Sequence, residues 1–298
     1  MDYGRELQFG YFLTPSAGDS RETLRQARLC EDLGLDLIGI QDHPYQRRFL
    51  DTWALMAFIA GQTSRVRLFP DVANLPLRPP AMLAKAAASI DLLSQGRFEL
   101  GLGAGAFWDA IRAMGGPTRT PGEAVQALEE AIQVIRLMWS GERGLRFEGR
   151  FYNLRGAHSG PVPAHEIGIW IGATGPKMLD LTGRRGDGWV PSSSYVPPAR
   201  LDAMQGRIDA GAKSAGRSPE SIQRLYNVMG RINETGPGEF LQGDLEQWVE
   251  DLSRLALEHG IDTFIFSPTD SHAAQLELFA REVAPRVRER VAQRRGAA

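Results

Sequence analysis

A single cysteine, Cys30, stands among 298 residues. That excludes a disulfide framework and a thiolate zinc cluster, and it fits a reducing compartment. Histidine is nearly as scarce. Of His43, His158, His165, His259 and His272, only His43 directly follows a short apolar run. A metal-dependent hydrolase, which needs several imidazole and carboxylate ligands together, therefore lacks its ligand set, and no metal is expected. No stretch approaches the about 18 consecutive apolar residues of a membrane helix. The start, Met1-Asp2-Tyr3-Gly4-Arg5-Glu6, lacks the basic and then apolar layout of a signal peptide, so the expected location is cytoplasmic. Strong charge of either sign is missing too: a net charge of -2 and a pI near 6.2 give no field suited to a polyanion. Nucleic acid and membrane are thereby excluded as partners, and a small-molecule substrate is expected.

What is present is a chain able to bury a large core, 43% hydrophobic and 23% charged. Short apolar runs at 8–13, 36–41, 66–72, 98–103, 168–172, 188–191, 222–229 and 263–267 read as strands. Helical periodicity fills 20–33, 51–63, 81–94, 122–139, 177–185, 199–215, 245–258 and 271–290 between and after them. Eight strands, each followed by a helix, predict an α/β fold, one (β/α)8 TIM barrel spanning 1–298; a doubly wound sheet would stop at about five or six strands. Ser20 with Glu22 and Thr23 is expected to open the first helix, and Gly34 to close it. The Gly-, Pro- and aromatic-rich segment 143–166 is too long for an ordinary connection and reads as an inserted rim or lid.

In such a barrel the reactive groups follow the C-terminal ends of strands. After the second strand come Asp42 and His43, a carboxylate beside an imidazole that can carry a proton or hydrogen-bond a ring; the alternative is a plain turn, with Asp42 as its cap and His43 packed on Pro44. Asp71 after the third strand reads, by itself, as a turn residue. Glycines at 101, 103 and 105 lack the spacing and the downstream acid of a dinucleotide fingerprint, so they read as small residues that admit a flat ligand. Gly172-Ala173-Thr174-Gly175-Pro176 runs from a strand into a helix whose free N–H groups could cradle a phosphate, unless it is an ordinary βα turn. Ser192 could add a further donor.

Taken together, Gln41-Asp42-His43, the run 81–105 and the run 172–189 resemble the luciferase-like monooxygenase superfamily. That superfamily includes bacterial luciferase, alkanesulfonate monooxygenase, methylenetetrahydromethanopterin reductase and deazaflavin-dependent glucose-6-phosphate dehydrogenase. The resemblance implies a coenzyme lying across the C-terminal mouth. Asp42 and His43 would be the catalytic pair facing its ring, and Asp71 and Val72 would back the ring through a non-prolyl cis peptide. Ala104 and Gly105 would line the pocket, and Gly172, Ala173, Thr174, Gly175 and Ser192 would hold the phosphate. Trp108 would wall the substrate pocket, or else belong to the core. Ala106 stands where deazaflavin dehydrogenases of this kind often carry a glutamate proton donor. The Asp-His pair favours coenzyme F420 and hydride transfer to or from a small organic substrate. FMN with O₂ as a monooxygenase is the alternative, and a non-catalytic ligand-binding barrel is a third. The resemblance also implies a homodimer formed through the second and third helices.

Overall fold

The structure, a computed structural model, describes residues 2–233 and 235–297. In chain order the strands are β1 (Gln8–Leu13), β2 (Leu37–Ile40), β3 (Arg67–Pro70), β4 (Ala73–Asn74), β5 (Leu100–Gly103), β6 (Leu145–Glu148), β7 (Asn153–Ala157), β8 (Ile169–Gly172), β9 (Gly188–Trp189), β10 (Gln223–Gly230) and β11 (Thr263–Pro268). The helices are α1 (Ser20–Asp32), α2 (Thr52–Ala60), α3 (Pro80–Leu93), α4 (Trp108–Ala113), α5 (Pro121–Trp139), α6 (Pro176–Arg185), α7 (Leu201–Ser214), α8 (Leu245–His259), α9 (His272–Leu278) and α10 (Ala284–Gly296), with a π turn, Phe279–Val283, joining the last two. Among the described residues no helix is long and apolar enough to cross a membrane.

The parallel sheet runs β3-β2-β1-β11-β10-β9-β8-β5-β4. β3 and β4 are halves of the expected third strand, interrupted at Asp71-Val72, whose peptide is cis as the resemblance implied. β3 pairs with β2, β4 pairs with β5, and Leu68 bridges Phe98 just ahead of β5. The sheet thus closes on itself into a (β/α)8 barrel. Helix starts follow local chemistry: Asp19, one residue before Ser20, caps α1 by accepting from the Glu22 N–H at 2.9 Å, and Thr120 with Glu123 forms a capping box on α5.

Segment 143–166 forms the β6–β7 hairpin, which starts where α5 ends and runs along that helix until its tip meets the first turn of α5, where Arg150 pairs with Glu123 and Arg119 donates to Tyr152. Two buried carboxylates fasten it: Glu130 accepts from the N–H groups of Arg150, Phe151 and Tyr152, and Asp91 from those of Ala164 and His165.

Alternate residues of each strand fill the barrel in layers. At its N-terminal end Arg67 donates to Glu99 (3.1 Å) and Gln8 (2.6 Å), and Gln223 donates to Gln8 and Thr263. Above that polar layer sits an apolar one of Leu37, Phe69, Trp170, Val190, Leu225 and Ile265, with the Phe69 and Trp170 rings edge to face at 4.9 Å. Neighbouring strands leave room for these rings by carrying glycine. A Cβ on Gly39 would lie 2.7 Å from the Phe69 ring, one on Gly188 2.4 Å from Trp170, and one on Gly101 2.0 Å from the Pro70 carbonyl. The last of these meets backbone, which cannot swing away. Gly101→Ala is therefore expected to lower stability by at least about 1–3 kcal/mol, read as a lower urea midpoint at unchanged slope.

Candidate functional site

β2 delivers Asp42 and His43 to the mouth with different surroundings. Asp42 is 1% exposed and receives Arg78 through both carboxylate oxygens, Nε to Oδ2 at 2.7 Å and Nη2 to Oδ1 at 2.8 Å, together with the Asn74 N–H at 3.0 Å. Arg78 also pairs with Asp51, the cap of α2. Both Asp42 oxygens are thereby engaged, and they anchor the loop after β2 to β4 and, through Arg78, to α2. His43 is half-buried, stacked on Tyr45 (5.4 Å between centroids, 19°) and edge-on to Phe107 (5.5 Å, 71°). Burial lowers its pKa against the pull of Asp42, which keeps the imidazole neutral near pH 7. The same burial, with Asp42, pushes the Tyr45 phenol up to about 12.

Val72 rests on two glycines. A Cβ on Gly103 would lie 2.6 Å from Val72 Cγ2, and one on Gly172 3.1 Å from it. Val72 thereby spans the ends of β5 and β8. Ala104, next after Gly103, is buried, and Gly105 takes φ 99°, where a side chain would be strained and would meet Pro76 at 2.6 Å and the Trp108 ring at 2.9 Å. Trp108 packs against the outer core, while Phe107 is 50% exposed. Of that aromatic pair, Phe107 is the one at His43.

The Gly172–Gly175 turn is held from below, where the Trp189 Nε1–H donates to the Ala173 carbonyl at 2.9 Å. Thr174 and Gly175 are exposed, Gly175 is the N-cap of α6 with Pro176 next, and a Cβ at Gly175 would meet nothing within 4 Å. Neither its φ of -86° nor its packing demands glycine there. On the far side, Asn227 of β10 donates to Ser192 Oγ at 3.1 Å and its side chain reaches Asp71 across the barrel. Asp71 is 8% exposed, and burial raises its pKa to about 7, the Asn227 hydrogen bond opposing this. Three contacts thus stitch the mouth together: His43 to Phe107, Val72 to Gly103 and Gly172, and Asp71 through Asn227 to Ser192. Tyr45, Arg78, Phe107 and Asn227 are the site residues that periodicity alone did not single out. Tyr45 and Phe107 lie within three residues of expected site positions, and that proximity was the available signal.

Residues 7–235 match the family model for luciferase-like monooxygenase. The chain is similar to an F420-dependent glucose-6-phosphate dehydrogenase of Mycolicibacterium fortuitum, 32% identical over 93% of this chain and 83% of that protein. It is 33% identical to a 5,10-methylenetetrahydromethanopterin reductase of Archaeoglobus fulgidus over 66% of this chain and 56% of that one. In fold it resembles an F420-dependent secondary alcohol dehydrogenase solved in complex with an F420-acetone adduct, with TM-score 0.84 and 20% identity over 95% of this chain and 99% of that chain. The chain belongs to the luciferase-like monooxygenase family.

The Asp42–Arg78 pair generates a stability prediction. Arg78→Met leaves a carboxylate buried without its cation and is expected to cost about 3–5 kcal/mol. Because the cost lies in the unpaired charge, Asp42→Asn combined with Arg78→Met should lose less than the two single changes summed. A strictly additive result in urea unfolding would contradict the anchor role.

Proposed function

From the chain's place in the luciferase-like family, we propose that it is an F420-dependent oxidoreductase acting on a small organic substrate. The observation that carries this reading is Val72 laid over Gly103 and Gly172, an apolar backing for a flat ring, with the His43 imidazole at the same mouth. Two buried acceptors at these strand ends, Asn74 Oδ1 and Asn227 Oδ1, have no donor among the described residues. A coenzyme bearing N–H and hydroxyl donors suits them. When bound, F420 accepts or gives a hydride at C5 of its deazaflavin.

The chain's own residues do the rest. Thr174, Gly175 and the N-terminus of α6 bind phosphate with free N–H groups, and the Ser192 hydroxyl, already accepting from Asn227, turns its own proton toward the ligand. Gly172 and Ala173 bring that turn to the ring, with Ala104 and Gly105 along its edge. His43, neutral and held between Tyr45 and Phe107, hydrogen-bonds the reacting centre or moves the substrate's proton. Asp42, fixed by Arg78, positions it. Tyr45, Phe107 and the nearer edge of Trp108 exclude water from the substrate side. Ala106, a methyl side chain, has no ionisable group and supplies no acid after β5. Phe58 of α2 and Met82 and Leu93 of α3 are exposed and apolar, and a second copy of the chain would cover them.

Side-by-side titration with F420 and FMN tests the coenzyme. F420 should bind and be reduced or oxidised by substrate; binding of FMN alone would make the enzyme the O₂-using alternative, and binding of neither would make it a ligand-binding barrel. Gly175→Val should weaken coenzyme affinity while leaving the melting temperature of the ligand-free barrel in place, since its new side chain meets open space. Equal loss of both would make Gly175 a folding residue and remove the cradle.

His43→Ala is expected to lower kcat about 10²–10⁴-fold with a smaller change in coenzyme affinity, because proton transfer acts in the transition state. Unaltered turnover would remove His43 from the chemistry.

A further inference from the structure

We propose that Asp71 holds a proton beneath the coenzyme and that coenzyme affinity follows that proton. The proposal rests on the F420 reading above and adds a residue whose task is to keep the site's inner wall uncharged. Asp71 directly follows β3 in line with the inward-facing Arg67 and Phe69, one layer above the Phe69–Trp170 pair. The backbone of β2 closes one side of it, since a Cβ on Gly39 would lie 3.1 Å from Asp71 Oδ2. That oxygen is buried without a hydrogen-bond partner.

Among the described residues no cation pairs with the carboxyl. On the elements packed around it the titratable and charged side chains are otherwise engaged or remote. Asp42, after β2, is bound by Arg78, and His43 stacks on Tyr45. Arg67 of β3 and Glu99 beside β5 pair with each other at the opposite, N-terminal end of the barrel. Arg224 of β10 pairs with Asp209, and Asp262, before β11, with Arg5. Asn227 alone among the described side chains hydrogen-bonds the carboxyl. An ionised carboxylate here would be a buried charge with one neutral donor, which costs more than a neutral acid in the same place. Burial accordingly carries the pKa up to about 7.

Ionisation breaks the Asp71 O–H bond heterolytically; the proton passes to solvent and the electron pair stays on the carboxylate, with no redox change. F420 is itself an anion through its phosphate, and a deazaflavin gains negative character on its ring when reduced. A carboxylate behind that ring repels it, while a neutral carboxylic acid can donate a hydrogen bond to it. Binding above the midpoint must then take a proton up from solvent.

The test reads Asp71 first without coenzyme. The infrared C=O band of a protonated carboxylic acid should be present in the ligand-free enzyme below neutrality, disappear with a midpoint near 7, and be missing from Asp71→Asn. Fluorescence titration of reduced F420 should then give a wild-type affinity that falls by up to about tenfold per pH unit above that midpoint, and a flat profile for the variant. A third readout follows from linkage. Between about pH 4 and about pH 7 the folded chain holds this proton where the unfolded chain has released it, so wild-type stability falls as pH rises through that window, and Asp71→Asn loses that slope. If Asp71→Asn does not fold, Asp71→Ser carries the same comparisons. A carboxylic band that survives the substitution, or a variant whose affinity keeps the wild-type pH slope, overturns the proposal. A wild-type enzyme that binds no F420 at any pH overturns the function proposed above, and the infrared band still decides Asp71.

Discussion

Two aromatic rings, Phe69 and Trp170, fill the middle of the barrel, and the space they require sets what the strands above them can carry. Close packing leaves no free volume around such rings, so their neighbours on β2, β5 and β9 are Gly39, Gly101 and Gly188. One layer higher the pattern changes. Gly103 and Gly172 face Val72, a smaller side chain, so the barrel narrows to a solid plug in the middle and opens at the top. A mouth with an apolar backing and no bulk above it is a consequence of where glycine stands relative to three side chains, and the site inherits its shape from that.

This explains how much was legible beforehand. Each expected strand run contains an observed strand, because fully buried parallel strands read as near-continuous apolar runs; β2 and β5 are buried at every position. In sequence the glycines at 101, 103 and 105 form one group that admits a ligand, yet they do three different things: Gly101 clears the Pro70 carbonyl, Gly103 seats Val72, and Gly105 supplies a positive φ against Pro76 and Trp108. Spacing along one strand cannot separate these roles, since each depends on a residue from another strand or loop. The same holds for Asp42. Its partner Arg78 lies 36 residues away, and no local pattern announces the pair. The hairpin at 143–166 was visible as an insertion, but its course along α5 depends on pairings such as Arg150 with Glu123, whose partners lie far apart in the chain.

Two carboxyls within the same mouth have opposite surroundings. Asp42 meets a guanidinium in bidentate geometry, while Asp71 meets a buried wall and one amide. Charge-assisted pairing favours the carboxylate, and burial without a cation favours the acid. Environments that separate like groups in this way are how one site keeps a fixed anion for positioning and a neutral group for contact.

The distribution of charge around the mouth then has a direction. At α6 an exposed helix N-terminus offers partial positive charge, suited to the phosphate end of a ligand. Around His43 the groups carry no charge near pH 7: a neutral imidazole at His43, an un-ionised phenol at Tyr45 and the Val72 methyls. The nearest fixed anion, Asp42, is neutralised by Arg78. Hydride moves with its electron pair, so unpaired charge beside the ring would favour one redox state of the coenzyme strongly over the other. With its partial positive charge gathered at α6, the mouth would hold an anionic ligand end there and, on the F420 reading, leave the ring free to cycle between its oxidised and reduced forms.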